Sequence, residues 1–140
     1  MTQEEIQKNN ELIAGLMIDN INYRIHQLFK DSYKYFQKYN NEFDTWTTMS
    51  HSKGKGEEPR YFYHFDWSWL MLVVEKIESL VIDEVDVCVE IIGEFCTING
   101  NFKPIYSLTP GLTKLQAVYK VVIEFIKFYN DKKRQETKRD

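Results

Sequence analysis

The C-terminal third of the chain has the clearest helical pattern. Apolar residues recur there at the spacing of one helix face: Leu115, Val118, Val122, Phe125, Ile126 and Tyr129. Thr113 and Gln116, at the start of this segment, have the spacing of a capping box. The pattern predicts an amphipathic helix that ends near residue 130. The charged segment 131–140 is predicted to be a frayed tail.

Two further helices are predicted upstream. Residues 67–80 follow Asp66, a favoured N-cap residue, and their core stripe is Leu70, Val73, Val74 and Ile77. Trp69 and Leu72 lie off this stripe, so a second face of the helix also needs cover. Near the N-terminus, the apolar residues between 6 and 17 share one face after the capping-box pair Thr2 and Glu5, which predicts a helix over residues 3–17.

Strand patterns occupy most of the remainder. Apolar residues alternate with polar ones over residues 85–91, and the pairs Gly93-Glu94 and Asn99-Gly100 predict two tight turns, the second of type I′. A three-stranded meander is therefore predicted across about 84–107, with Pro104 in an edge strand. A short strand is predicted from Tyr61 to Phe65.

Residues 21–50 fit a helix loosely and strands slightly better, with a possible turn at residues 30–32. Residues 50–60 contain two glycines and many polar residues, which predicts an exposed, mobile loop. This order of elements indicates an α+β fold, in which helices pack on an antiparallel β-sheet. Residues 1–130 are predicted to form a single domain.

Composition narrows the class of protein. With 140 residues, of which 43% are hydrophobic and 15% aromatic, the chain can bury one core. The net charge of -3 does not favour non-specific binding of nucleic acid. The two cysteines, Cys88 and Cys96, cannot form a disulfide framework and are predicted to be buried thiols. No signal-peptide pattern or membrane-spanning run is visible, so we expect a cytosolic protein.

The common catalytic and cofactor motifs are missing from the sequence. No phosphate-binding glycine loop, nucleophile elbow or zinc spacing occurs, so no cofactor, metal site or catalytic residue is predicted. His64 and Asp66 could form a carboxylate-oriented general base. The simpler interpretation is that Asp66 caps a helix and His64 ends a strand. The carboxylates between residues 75 and 94 are expected to face water rather than to bind a metal.

A basic and aromatic segment is the best candidate for a binding surface. Cations can contact phosphates while aromatic rings stack on bases, and buried aromatic residues dominate protein interfaces. The carboxylates in the same segment argue against this and favour the simpler interpretation of an ordinary solvated surface. The candidate binding residues are Lys30, Tyr33, Lys34, Tyr35, Lys38, Tyr39, Trp46, Lys53, Lys55, Arg60 and Tyr61.

Three segments resemble a group of small, uncharacterised proteins encoded by phages and prophages of Bacteroidota. They are NNELIAGLM (9–17), HFDWSWLMLVVEKIES (64–79) and TKLQAVYKVVIEFIKFYN (113–130). The second is similar to the D-W-x-W-L-M-x-V-V-E-K-I-E segment of that group. The resemblance implies an origin in a mobile element and supplies no catalytic residues. The 18–63 segment is longer than the corresponding connection of the group, so if the protein has a special function, it is expected to lie in this segment.

These observations predict a non-enzymatic phage or prophage accessory protein that binds a host machine. The specific hypothesis is inhibition of an RNA-guided immune nuclease, as anti-CRISPR proteins do, through a host protein or its guide RNA. A nucleic-acid-binding accessory protein without inhibitory role is the first alternative. A small enzyme with a site near His64 and Asp66 is the second. No membrane partner and no small-molecule substrate are expected.

Overall fold

The fold is α+β, as the sequence predicts. The computed structural model describes residues 1–19, 21–27, 33–107 and 109–138. The helices are α1 (Gln3–Ile18), α2 (Trp67–Glu78) and α3 (Lys114–Lys138). The strands are β1 (Tyr23–Gln27), β2 (Lys34–Asn40), β3 (Thr45–His51), β4 (Val81–Ile82), β5 (Val85–Asp86), β6 (Cys88–Ile92), β7 (Phe95–Gly100) and β8 (Phe102–Tyr106).

Residue contacts divide the chain into two compact units. The smaller unit is Ala14–Tyr61, and the larger unit combines Met1–Ile13 with Phe62–Asp140. Three antiparallel sheets are present among the described residues, with strand orders β1-β2-β3, β4-β5 and β6-β7-β8. We call β1-β2-β3 the first sheet and β6-β7-β8 the second sheet.

The core of the larger unit lies between α2, α3 and the second sheet. Helix α3 packs on β7 and β8, whereas α2 packs on β6 and on α3. The predicted α2 stripe is buried, and so is Trp69, which packs edge-on against Tyr63 and Phe62. The prediction of helices packed on an antiparallel sheet is therefore confirmed in this unit.

Local signals set the helix starts. The Asp66 carboxylate accepts hydrogen bonds from the backbone amides of Ser68 and Trp69, which confirms the predicted N-cap of α2. At α3, the Thr113 amide donates to Gln116 Oε1 at 2.9 Å and the Gln116 amide donates to Thr113 Oγ1 at 3.2 Å. Both hydrogen bonds of the predicted capping box are present.

Helix α3 is longer than its apolar stripe indicates. The sequence pattern ends the helix near residue 130 and assigns 131–140 to a frayed tail, but the helix continues to Lys138. Polar contacts support this extension, since Arg134 pairs with Asp131 one turn away and Lys132 Nζ lies 2.8 Å from Asp83 Oδ2. A helix can continue on such pairs after its apolar face has ended.

The second sheet begins at a later residue than predicted, and the turn between β7 and β8 is also one residue later than predicted. The meander was expected across about 84–107, but residues 85–86 pair with β4 in a separate two-stranded hairpin, and the second sheet spans residues 88–106. The predicted type I′ turn at Asn99-Gly100 is wrong, because Gly100 remains in β7 and pairs with Phe102. Glycine is required here for close approach: a Cβ at residue 100 would collide with the Phe102 ring. Pro104 lies in the edge strand β8, as predicted.

The region from residue 21 to 63 also differs in part from expectation. The preference for strands over a helix is confirmed by β1, β2 and β3, whereas the possible turn at 30–32 lies outside the described residues. The strand predicted from Tyr61 to Phe65 is wrong, because this segment has no strand pairing and ends in a turn before α2. Tyr61 and Tyr63 are buried, whereas Phe65 is exposed.

The structure also bears on the expected burial of the two cysteines and on the absence of a membrane-spanning run. Cys96 is buried, which raises the pKa of its thiol to about 11, but Cys88 is exposed, so only one of the two thiols is buried. Cys88 lies on the opposite face of the second sheet from Cys96 and α3, as strand alternation requires. Among the described residues, no helix combines the length and apolar character needed to cross a membrane.

Candidate interaction face

The strands of the first sheet place eight side chains on one face, which we call the outer face. Residues directly opposite each other in an antiparallel pair project to the same side. In the central strand β2, Gln37 pairs with Arg24 and Thr48, Tyr39 pairs with Trp46, and Tyr35 pairs with His26 and His51. The outer face is therefore Arg24, His26, Tyr35, Gln37, Tyr39, Trp46, Thr48 and His51. None of the eight is buried, and none is acidic.

A row of contacts crosses the outer face from β1 to β3. Arg24 Nε donates to Gln37 Oε1 at 2.7 Å, and Gln37 Nε2 donates to Thr48 Oγ1 at 3.1 Å. The Arg24 guanidinium also lies over the Trp46 ring, 4.1 Å from its centroid. These contacts hold the Arg24 side chain against the sheet and fix the central part of the face.

Aromatic residues flank this row. The Tyr39 and Trp46 rings are 5.2 Å apart, and the Tyr39 hydroxyl donates to the Asp44 carboxylate. That hydrogen bond is the main reason why the pKa of Tyr39 is raised, since the carboxylate stabilises the protonated phenol. On the other side of the row, the Tyr35 and His51 rings are 6.3 Å apart. The face therefore presents half-exposed rings at both ends and a polar row between them.

The opposite face of the first sheet, the inner face, holds the buried residues. Phe36 is fully buried; its ring stacks on Tyr23 at 6.0 Å and meets the edge of Tyr61 at 5.4 Å. Lys34 and Lys38 share this side with Phe36, because they are two residues away along β2. Lys34 Nζ pairs with Glu58 Oε1 at 2.5 Å.

The structure thus separates the candidate residues that the sequence grouped together. Tyr35, Tyr39 and Trp46 lie together on the outer face, whereas Lys34 and Lys38 project to the other side. Lys53, Lys55 and Arg60 are exposed beyond the end of β3, and Tyr33 is half-buried just before β2. Tyr61 is 8% exposed and belongs to the core. Lys30 lies outside the described residues.

The residues that sequence reasoning missed are those between the rings. Arg24, His26, Gln37, Thr48 and His51 were not predicted, although Tyr23-Arg24-Ile25-His26 alternates as a strand does. A β-bulge at Met49 explains the difficulty: the register passes from Thr48, opposite Gln37, to Ser50, opposite Phe36. Because of the bulge, His51 lies on the outer face, whereas simple alternation from Trp46 would place it on the opposite face.

The predicted alternative site at His64 has a different geometry. Asp66 Oδ1 is engaged in capping α2, and His64 Nδ1 lies 3.0 Å from Asn10 Nδ2. The Tyr119 hydroxyl donates to Asn10 Oδ1 at 2.9 Å, so His64, Asn10 and Tyr119 join the turn before α2 to α1 and α3. An amide nitrogen can only donate, so this contact requires a His64 Nδ1 that carries no proton. Burial lowers the pKa of His64 and raises that of Tyr119 to about 12.

The remaining places where a ligand or metal could bind are either small or lack a set of ligating side chains. Within the described residues, no three His, Cys, Asp or Glu side chains are close enough to hold a metal ion. The carboxylates between residues 75 and 94 are exposed. A cavity of about 130 Å³ is lined by the β4 turn and the C-terminal part of α3, and the Lys132–Asp83 ion pair occupies its wall.

Comparison with protein-family models, curated proteins and solved structures gave no match.

Proposed function

We propose that this chain is a non-enzymatic binding protein that contacts a protein partner through the outer face of the first sheet. The observation that supports the proposal is the separation of the rings from the lysines. Tyr35, Tyr39 and Trp46 share a half-exposed face with Arg24, and the carboxylate at its border, Asp44, accepts the hydrogen bond of the Tyr39 hydroxyl. Lys34 and Lys38 project from the opposite side.

The composition of the outer face suits a protein interface. Tyr, Trp and Arg are the residue types most enriched among those that dominate binding energy. Arg24 and Trp46 already contact each other and their neighbours across the strands, so little side-chain freedom remains to be lost on binding. A face that is rigid before binding gains affinity because that entropy cost is reduced.

The same geometry disfavours nucleic acid as the partner. Proteins that bind single strands combine stacking rings with a row of cations that follows the phosphates. Arg24 is the only permanently charged residue on the outer face, and Lys34 is paired with Glu58. A partner made of folded protein is the better match.

The more specific proposal is that the partner is a host machine of the bacterial cytosol, an RNA-guided immune nuclease in particular. It is supported by the resemblance of three segments to phage and prophage proteins. The protein would then act stoichiometrically and would need no catalytic residue.

The proposal can be tested by affinity capture from a Bacteroidota lysate with matched variants. Trp46→Ala and Arg24→Ala remove outer-face contacts, whereas Lys38→Glu changes the charge of the inner face. We expect a captured protein that is lost in both outer-face variants, is retained by Lys38→Glu, and survives nuclease treatment. Loss on nuclease treatment, or retention by both outer-face variants, would contradict the proposal.

The immune-nuclease proposal has its own assay. Purified RNA-guided nucleases are mixed with increasing amounts of the protein, and target cleavage is measured. We expect cleavage to stop near equimolar protein for the wild type and to persist with Trp46→Ala. Cleavage that is unaffected for every nuclease of the source genome would reject this partner and leave the binding face to be tested by the capture experiment.

A further inference from the structure

The open edge of the first sheet has the features of a self-pairing strand. Within the described residues the order is β1-β2-β3, so β3 is an edge strand. Residues 45–50 contain no charged residue and no proline, although edge strands are usually protected by such residues. Thr45, Thr47 and Thr48 are exposed.

Two backbone hydrogen bonds fix which peptide groups of β3 point outward. The Tyr39 amide donates to Asn22 O at 2.7 Å, and the Ser52 amide donates to Lys34 O at 2.9 Å. The odd-numbered residues of β2 therefore bond toward β1 and the even-numbered ones toward β3. Trp46 and Thr48 are opposite Tyr39 and Gln37, so their N–H and C=O groups point away from β2.

The open part of this edge is short and has a defined end. The bulge at Met49 interrupts the regular strand, and the Arg60 amide donates to His51 O at 3.3 Å. A bridge between Ser52 and Pro59 covers the chain beyond. The regular open edge is thus limited to residues 45–48.

We propose that β3 pairs with β3 of a second copy of this chain around a two-fold axis at Thr47. In this antiparallel register, Trp46 is opposite Thr48 of the second copy, and every outward N–H and C=O of these two residues is paired. Thr47 lies beside Thr47 of the second copy. Aromatic–β-branched and Thr–Thr pairs are favourable across strands.

Charge supports a second copy as the occupant. The neutral strand meets no like charge when it pairs with itself, and the smaller unit as a whole has seven Lys or Arg against six Asp or Glu. The pairing closes on itself, as two-fold interfaces do. The pairing joins the first sheet of one copy to the first sheet of the other, so that their outer faces are continuous. This proposal does not depend on whether the outer face binds another protein.

The test is sedimentation velocity of the full chain from micromolar to millimolar concentration. Thr48→Pro removes one outward donor from each copy and leaves the ladder with β2 intact, while Thr48→Val keeps the donor and the shape. We expect a concentration-dependent dimer for the wild type and Thr48→Val, and self-association at least about tenfold weaker for Thr48→Pro. Circular dichroism checks that Thr48→Pro is folded.

Amide hydrogen exchange of the wild type gives a second readout that needs no variant. The Trp46 and Thr48 amides should exchange more slowly as the protein concentration rises, whereas the amides of the turn at residues 41–44 should not change. A wild type that is monomeric at millimolar concentration, a dimer that Thr48→Pro does not weaken, or exchange at Trp46 and Thr48 that does not depend on concentration would overturn the proposal.

Discussion

Replacing Phe125 by alanine tests the packing of α3 on the second sheet. Phe125 is fully buried, and its ring lies 6.0 Å from that of Phe102, 6.3 Å from Phe128 and 6.0 Å from Tyr129. The substitution removes a whole ring from this cluster and leaves a cavity. Truncation of a buried phenylalanine costs about 3–5 kcal/mol, a large share of the roughly 5–15 kcal/mol by which domains are stable.

The assay is urea unfolding followed by tryptophan fluorescence, with Phe128→Ala as the matched control. Phe128 is half-exposed and contacts the Phe102 ring at 5.0 Å, so its truncation leaves a site that water can fill and should cost less. At about 2–4 °C per kcal/mol, Phe125→Ala should also lower Tm by roughly 10 °C. A loss under about 1 kcal/mol, or one no larger than that of Phe128→Ala, would refute this packing.

Three further predictions concern local features. Asp66→Ala should cost about 0.5–2 kcal/mol in unfolding free energy because the α2 amides lose their cap, and an unchanged value would contradict the capping role. Gly100→Ala should destabilise the protein by about 1–3 kcal/mol since its Cβ meets the Phe102 ring, whereas Gly15→Ala, which meets nothing within 4 Å, should not. The pKa of His64 is lowered in the folded state, so the unfolded state binds more protons and stability should fall as pH drops below about 6.5; His64→Gln should reduce that slope in unfolding measured at several pH values.

The elements with local signals were predicted most accurately. The capping hydrogen bonds at both helix starts span less than one helical turn: Thr113 bonds with Gln116, and Asp66 bonds with the amides that follow it. The sequence alone therefore places the starts of α2 and α3. Asn99-Gly100 shows the opposite case. The dipeptide favours a type I′ turn, but the packing of Phe102 against Phe125 and Phe128 shifts the turn by one residue. That packing involves residues far apart in the chain, so no local pattern reports it.

The candidate site depended on register in the same way. Tyr35, Tyr39 and Trp46 could be selected as aromatic residues among cations, but which of them share a face with Lys34 or Arg24 depends on how β2 pairs with both neighbours. The bulge at Met49 changes the alternation within β3 itself. Sequence reasoning therefore found the rings, missed Arg24 and Gln37 between them, and included lysines that lie on the other face.

The salt dependence of binding tests the central claim most directly. The partner captured by the wild type is purified, and its Kd is measured at low and at high salt for the wild type and for Lys38→Glu. If the outer face contacts protein through its rings and Arg24, log Kd should change little with log salt concentration, and Lys38→Glu should leave both values nearly unchanged. A slope equivalent to several released counterions, lowered by Lys38→Glu, would show that phosphates are contacted and would contradict the account.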